Sequence, residues 1–356
     1  MADKILMKGN EAIGEAAIVA GCRHYFGYPI TPQTELTEYM AKRLPQVDGV
    51  FLQAESEIAA INMVYGAAGA GARAMTSSSS PGISLKQEGI SFLAGAELPC
   101  VIVNIMRGGP GLGGIQPGQA DYFQATKGGG HGDYRNIVLA PNSVQEMVDM
   151  TILSFDLADK YRNPVMLLGD GALGQMMEPV VFAPSKSVPV DKPWAATGLR
   201  GRRTTPNIIN SLHLQPDSLE HHNIHLQQKY AAVTQHEIRY EELHTDDAEL
   251  VLVAYGITSR IARTAMEKAR ADGYRVGMLR PISLWPFPRA ALAELARKAR
   301  AFLTVELSAG QMVEDVQLAV LGAAPVHFYG RTGGNMPTPK ELYQEIVRIM
   351  NGSGGK

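Results

Sequence analysis

The chain has 356 residues, a formal net charge of −2, and 45% hydrophobic against 19% charged side chains. That balance predicts a globular protein of two domains, at roughly 150 residues each, and gives no electrostatic reason to expect nucleic acid or an anionic membrane. No apolar run reaches the about 18 residues that cross a bilayer, and Met1-Ala2-Asp3-Lys4 is not a secretion signal, so the expected location is cytoplasmic. Cys22 and Cys100 stand alone, without a disulfide framework or the spacing of a zinc or iron–sulfur motif. If the chain takes part in electron transfer, the metal centres are expected on another polypeptide.

The first 190 residues alternate short apolar runs with helical patterns. Ala17 to Phe26 contains a helix end and a strand, and Gly27-Tyr28-Pro29-Ile30-Thr31-Pro32 follows. Proline fixes its own φ and pushes the residue before it out of the helical region, so the chain leaves the strand in a rigid turn. Thr31 then lies just ahead of a helix-like run from Gln33 to Arg43, where a hydroxyl near a helix start suits a carboxylate or phosphate. Val50 to Gln53 reads as a strand, and Gln53-Ala54-Glu55-Ser56-Glu57 leads into an Ala/Gly-rich helix from Ile58 to Gly71. One of the two glutamates caps that helix or faces a ligand, and composition does not separate them. Arg73 to Thr76 is a strand, followed by a Ser/Pro/Gly turn and a helix from Ile83 to Gly95.

Cys100 to Met106 is a continuous β-branched and apolar run, the pattern of a strand buried on both faces. Arg107 ends it, either to pair with a structural carboxylate or to hold a substrate anion with two N–H groups. The glycine-dense Gly108 to Gly114 lacks the spacing of either nucleotide-binding loop and reads as a mobile loop over a site or as a plain connection. Ile137 to Ala140 and Val165 to Leu168 are further strands around a helix from Val144 to Tyr161. Gly169-Asp170-Gly171 looks like a magnesium motif, but no second ligand follows one helix and strand later, so a strand-to-helix turn is the reading. Strands alternating with helices imply a doubly wound, mostly parallel α/β sheet, with ligands beyond the C-terminal strand ends. Thr31, Glu57, Ser77 to Ser80 and Arg107 all fall at such ends.

Residues 191–247 read as a solvated connector, from Ala183 rich in proline and with the basic run Arg200-Gly201-Arg202-Arg203. It carries a helix near Leu219 to Glu237 and six histidines, of which His221 and His225 are the one pair at metal-ligand spacing, without a third ligand. Residues 248–350 form a smaller α/β domain with strands at Leu250 to Ala254, Arg275 to Leu279 and Ala301 to Glu306. Its helices are Ile261 to Asp272, Ala290 to Ala299, Met312 to Leu321 and one after Pro339, with a proline-rich turn from Arg280 to Pro288. Ser259 stands at a helix start as a cap or an anion receiver. The tail, 351–356, is expected to be disordered.

Several motifs carry a family resemblance. Tyr28-Pro29-Ile30-Thr31-Pro32, Gln53-Ala54-Glu55-Ser56-Glu57, the run Pro81 to Gly89, Gly118 to Tyr122 and Asn142 to Glu146 resemble the α chain of the 2-oxoacid:ferredoxin oxidoreductases. Arg280-Pro281, Trp285 to Pro288, Glu306 to Met312 and Gly330 to Gly334 extend the likeness through the second domain, nearly end to end. The branched-chain (2-oxoisovalerate) variety is the one most resembled.

The resemblance implies a thiamine-diphosphate pyrimidine-binding domain followed by a transketolase C-terminal-like domain. Glu57 matches the family's cofactor-activating glutamate, whose hydrogen bond to the ring N1′ favours the imino form that takes the C2 proton. Thr31 and Arg107 match positions that receive the substrate carboxylate and carbonyl, and Tyr28, Pro29 and Ile30 lie beside the cofactor. No metal ligand is implied on this chain. A β chain would hold the diphosphate and Mg2+, and a γ chain and a ferredoxin-like chain with 4Fe-4S clusters would complete a hetero-oligomer with more than one copy of each chain. Coenzyme A would be the co-substrate and ferredoxin the electron acceptor. One departure is Ser80, where the family's turn carries glycine.

Overall fold

The computed structural model of the chain describes residues 4–182, 191–199 and 204–352. The first stretch contains strand β1 (Ile5–Lys8), helix α1 (Gly9–Val19), β2 (His24–Gly27), α2 (Thr34–Arg43), β3 (Val50–Gln53), α3 (Glu57–Gly69), β4 (Ala74–Ser78) and α4 (Ser80–Gly95). Strand β5 (Cys100–Met106), a short α5 (Tyr122–Thr126), β6 (Ile137–Leu139), α6 (Val144–Tyr161), β7 (Pro164–Asp170), a short α7 (Gly171–Gln175) and β8 (Met177–Val180) follow.

These strands build a seven-stranded sheet in the order β12-β6-β7-β5-β4-β2-β3, where β12 (Ser283–Trp285) arrives from the second half of the chain. All pairs are parallel except β12 with β6. The central β5 and β7 are buried at every residue and run in register from Cys100–Pro164 to Met106–Asp170. Their side chains alternate between two cores, as the pleat requires. Val101, Val103 and Ile105 pack with Ile13 of α1 and Met147 and Phe155 of α6, whereas Ile102 and Met106 pack with Ala60, Ile61 and Val64 of α3 and Ile83 and Ile90 of α4. Helices therefore cover both faces, as the strand–helix alternation predicts. Strands β1 and β8 form a separate antiparallel ribbon.

Helix α8 (Pro216–His236) and β9 (Tyr240–Leu243) lead into the second unit: β10 (Leu250–Ala254), α9 (Gly256–Ala271), β11 (Val276–Pro281), β12, α10 (Arg289–Leu295), β13 (Ala301–Glu306), α11 (Met312–Val320), β14 (Val326–Gly330) and α12 (Pro339–Met350). Its five-stranded sheet has the order β14-β13-β10-β11-β9, with only β9 antiparallel. Ala262, Ala265 and Met266 of α9 and Leu342 and Ile346 of α12 cover one face, and Leu292, Leu295 and Val316 of α10 and α11 cover the other. The second of these cores is continuous with the α3/α4 core of the first sheet, so the units share one apolar interior.

Three expectations are corrected. The proline-rich stretch after Arg280 is not only a turn: Ser283 pairs with Leu139 and Trp285 with Val138, adding an edge strand to the first sheet. Edge strands tolerate the flanking prolines because one side needs no amide donor. The connector is not simply solvated. Leu226, Tyr230 and Val233 share one face of α8 by their spacing and are buried, and β9 is an edge strand of the second sheet. The cap of α9 is Tyr255, and Ser259 lies inside the helix with its hydroxyl donating to the Gly256 carbonyl at 2.7 Å. The start of the connector at residues 183–190, its basic run 200–203, and 353–356 of the tail lie outside the described residues. Among the described residues no helix is long and apolar enough to cross a membrane.

Candidate active site

The C-terminal ends of β2, β3, β4 and β5 open onto one edge of the first sheet. After β2 the chain turns through Tyr28 and Pro29, both exposed, the half-buried Ile30, and the exposed Thr31. The turn is pinned from several sides. Arg107 Nη1 donates to the Thr31 carbonyl at 3.0 Å, Asn10 Nδ2 and Gln175 Nε2 donate to the Pro32 carbonyl at 2.8 and 3.2 Å, and Gln33 N closes on Ile30 O at 3.2 Å. Gln33 caps α2, so Thr31 sits two residues before the cap and three before the first helical residue rather than at the helix mouth. Beneath it, Ser77 Oγ and Thr37 Oγ1 both donate to Gln33 Oε1, and Tyr25 Oη bonds to both hydroxyls, which ties the turn to β4.

The two glutamates after β3 separate cleanly. Glu55 is exposed, Ser56 caps α3 through an Oγ that accepts Ala59 N at 3.2 Å, and Glu57 is the first helical residue, only 6% exposed. No hydrogen-bond donor among the described residues reaches the Glu57 carboxylate. It lies against the first turn of α4: a Cβ on Gly82 would stand 2.6 Å from Glu57 Oε1 and closer still to Ser78 Oγ. Ser78 Oγ and Ser79 Oγ are buried without partners.

Arg107 is 9% exposed at the end of β5 and meets no carboxylate among the described residues, which removes the structural ion pair as its reason for being there. Its Nη2 donates to the Leu112 carbonyl at 3.1 Å and its Nε is buried without a partner. The glycine loop is therefore tethered: Gly108 N reaches Gln116 O and Gly114 N reaches Gly108 O, both at 2.9 Å. Ser80, the departure from the family turn, acquires a reason. Its Oγ accepts Arg107 N at 3.0 Å and donates to Asp121 Oδ2 at 2.6 Å, and Asn104 Nδ2 donates to the same oxygen at 2.9 Å. Burial raises the Asp121 carboxyl above its ordinary range, while these two hydrogen bonds pull it back.

Thr31 and Arg107 are thus in direct contact, and Glu57 shares their sheet edge without a bond to either. Gly169-Asp170-Gly171 is a strand-to-helix turn: Asp170 Oδ1 accepts Ala172 N and Leu173 N, and Oδ2 accepts Ile257 N from the second unit, all at 3.1 Å. The histidine pair does not form a metal site. His221 is exposed, His225 Nε2 faces Glu97 Oε1 at 3.1 Å, His222 Nε2 meets the Gly95 carbonyl at 2.7 Å, and the described residues hold no cluster of three metal-ligating side chains. Sequence reasoning passed over Gly82, Lys86 and Gly89, which recur at one-face spacing on α4; that spacing was the available signal.

Family models for pyruvate flavodoxin/ferredoxin oxidoreductase (thiamine diphosphate-binding) and pyruvate:ferredoxin oxidoreductase core domain II match residues 15–249 and 248–342. The chain is 56% identical over 346 residues to ketoisovalerate oxidoreductase subunit VorB of Methanothermobacter marburgensis, covering 97% of each. It is 37% identical to 2-oxoglutarate synthase subunit KorA of Methanothermobacter thermautotrophicus, over 98% of this chain and 100% of that one. A solved 2-oxoglutarate:ferredoxin oxidoreductase from Magnetococcus marinus, with 2-oxoglutarate, coenzyme A and succinyl-CoA bound, matches at a TM-score of 0.88 and 29% identity. That match covers 98% of this chain and 66% of the solved one. A split-gene transketolase, an inactive β4 tetramer, shares the fold at a TM-score of 0.62 and 15% identity, covering 97% and 98% of the two chains. The chain belongs to the 2-oxoacid:ferredoxin oxidoreductase family, as a subunit that carries its thiamine diphosphate-binding domain.

Proposed function

We propose that the chain is half of an active site that oxidatively decarboxylates a branched-chain 2-oxo acid of the 3-methyl-2-oxobutanoate type. The acid and coenzyme A yield acyl-CoA and carbon dioxide, and two electrons pass singly to ferredoxin. The observation that carries this reading is the Glu57 carboxylate: buried, at a helix start, without a protein donor, and facing a glycine that leaves room. Ser78 and Ser79 hydroxyls without partners, and Tyr28, Pro29 and Ile30 on the rim, suit the pyrimidine of thiamine diphosphate. Bound there, that cofactor would supply the carbon nucleophile that adds to the 2-oxo carbon.

Glu57 holds and releases a proton at the pyrimidine N1′, a role for which a carboxyl away from water is suited. Arg107 receives the substrate carboxylate through Nε and through the donors that now hold loop carbonyls, and the Thr31 hydroxyl stands beside it for the carbonyl. Residues 1–190 form the pyrimidine-binding domain, 191–247 the connector and 248–350 the transketolase C-terminal-like domain. A β chain supplies the diphosphate and Mg2+ site, a γ chain and a ferredoxin-like chain with 4Fe-4S clusters complete the cytoplasmic hetero-oligomer, and ferredoxin accepts the electrons. The VorB relative supports the branched-chain substrate; KorA relatives make 2-oxoglutarate, with aromatic 2-oxo acids behind it, the second reading.

The test is ferredoxin reduction by the assembled enzyme with coenzyme A and a panel of 2-oxo acids, for the natural chain and Glu57→Gln. The expected result is highest kcat/KM with 3-methyl-2-oxobutanoate and a loss of about 10²-fold or more in the variant. A Glu57→Gln enzyme with unchanged turnover overturns the assignment, and preference for 2-oxoglutarate moves the substrate to the second reading.

A further inference from the structure

The guanidinium of Arg107 is unevenly filled. Nη1 donates to the Thr31 carbonyl at 3.0 Å and Nη2 to the Leu112 carbonyl at 3.1 Å, whereas Nε is buried without a partner. The Nε–H and one Nη2–H point the same way, and together they form the edge that takes a carboxylate through two parallel bonds. On that edge one donor is idle and the other is held by a single carbonyl oxygen. A carboxylate seated there satisfies Nε, displaces the Leu112 oxygen and leaves the bond to Thr31 in place.

The segment that has to give way can do so. Gly111 and Gly113 flank Leu112 with φ of 71° and 58°, a region that glycine enters freely. Gly108 to Gly111 border a cavity of about 670 Å³ whose far side is formed by Leu307 and Gln311 of the second unit, so the loop has room to shift. Leu112 is also the most exposed large apolar side chain among the described residues, at 88%. A carbonyl oxygen lies about 2.4 Å from its own Cα, so the Leu112 Cα is within about 5.5 Å of Arg107 Nη2. In a 2-oxo acid the side chain begins two bonds from the carboxylate carbon, and so begins close to this leucine.

We propose that Leu112 is a specificity-determining residue: its carbonyl holds the place of the substrate carboxylate on Arg107, and on displacement the loop lays the leucyl side chain against the apolar branch of the 2-oxo acid. This rests on the reading of Arg107 as the group that receives the carboxylate. Covering the branch takes apolar surface of both partners out of water, a gain that a shorter side chain obtains only in part. An acid with a second carboxylate would have that group stripped of water beside a leucine that offers it no hydrogen bond.

The test is ferredoxin reduction by the assembled enzyme with coenzyme A, comparing kcat/KM for 3-methyl-2-oxobutanoate, 2-oxobutanoate and 2-oxoglutarate. Leu112→Ser is expected to lower the ratio of the branched to the unbranched acid about fourfold, the factor that one buried methylene is worth. Leu112→Lys is expected to raise the ratio of 2-oxoglutarate to 3-methyl-2-oxobutanoate at least about tenfold, through a charged donor for the second carboxylate. Natural ratios in both variants overturn the proposal; if assembly is weakened at the same time, Leu112 belongs to a contact with a partner chain. In the cofactor-stripped complex, where the acid keeps its carboxylate, saturating 3-methyl-2-oxobutanoate is expected to change amide hydrogen exchange across 108–116. Unchanged exchange there overturns the displacement of the carbonyl and the proposal with it. Arg107→Lys separates the two ideas. If it keeps the natural KM for all three acids, the reading of Arg107 itself fails; if it raises KM for all three while the Leu112 variants keep natural ratios, only the role of Leu112 falls.

Discussion

Arg280 grips Glu146 with both terminal nitrogens, Nη1 to Oε2 at 2.8 Å and Nη2 to Oε1 at 2.7 Å, and so fastens the end of β11 to the first turn of α6. The guanidinium is 3% exposed, and its Nε reaches Glu241 Oε2 at 2.9 Å on the edge strand β9. A planar fork matches a carboxylate in a way that a point-charge ammonium does not. Arg280→Met leaves both acids facing an apolar side chain and is expected to lower stability by about 3 kcal/mol in urea unfolding. Arg297→Met, at an exposed pair with Glu294, is expected to stay within about 0.5 kcal/mol, and equal effects at the two sites would refute the difference.

Long elements with a strong period were legible in the sequence, because burial on both faces or along one stripe leaves a mark in the residues themselves. Cys100–Met106, Val144–Tyr161, Leu250–Ala254 and Ala301–Glu306 have the bounds that their apolar patterns predict. Strands β9, β12 and β14 were not legible. Tyr240–Leu243 alternates exposed and half-buried residues at a sheet edge, and Ser283–Trp285 is three residues between prolines whose pairing with β6 is wholly tertiary. The shared sheet edge of Thr31, Glu57 and Arg107 followed from their places at strand ends. The burial of Lys86 did not, since a lysine ordinarily reads as solvated.

Gly82 is an inward-facing helical position with no room for a methyl group. A Cβ there would meet Glu57 Oε1 at 2.6 Å and press on Ser78 Oγ. Alanine favours the helix by about 1 kcal/mol over glycine, which offsets much of an overpacking cost of roughly 1–3 kcal/mol. Gly82→Ala is therefore expected to melt within a few degrees of the natural chain while its affinity for thiamine diphosphate falls at least about tenfold, because the displaced group is the carboxylate itself. Calorimetry paired with thermal melting checks both halves. Retained affinity would place the cofactor elsewhere.

Arg107 binds two backbone carbonyls, Thr31 O at 3.0 Å in the turn after β2 and Leu112 O at 3.1 Å in the glycine loop. Lysine keeps the charge but offers no fork, so Arg107→Lys gives up at least one of these bonds together with the geometry for a carboxylate. Hydrogen bonds to charged groups contribute about 1.5–3 kcal/mol, which corresponds to KM for the 2-oxo acid rising roughly 10–100-fold. Release of the Leu112 carbonyl is also expected to speed protease cleavage within 108–114. A variant with natural KM and natural cleavage would contradict both roles.

Asp170 joins the units through one carboxylate, with Oδ1 on Ala172 N and Leu173 N and Oδ2 on Ile257 N. Burial raises its carboxyl from the ordinary 3.8 to about 6, against the pull of those three amides. A raised value means that the folded chain binds the proton more tightly than the unfolded one. The contribution to stability is therefore complete below about pH 3.8 and is lost as pH climbs through about 6. The interval corresponds to about 3 kcal/mol. Asparagine does not titrate, so Asp170→Asn removes this slope while losing an acceptor for one amide. Unfolding free energies measured from about pH 4 to about pH 7 are expected to show the natural chain losing ground to the variant by up to about 3 kcal/mol as pH rises. A difference that stays constant over that range would mean that Asp170 is ionised throughout, held by its three amides rather than resisted by its surroundings.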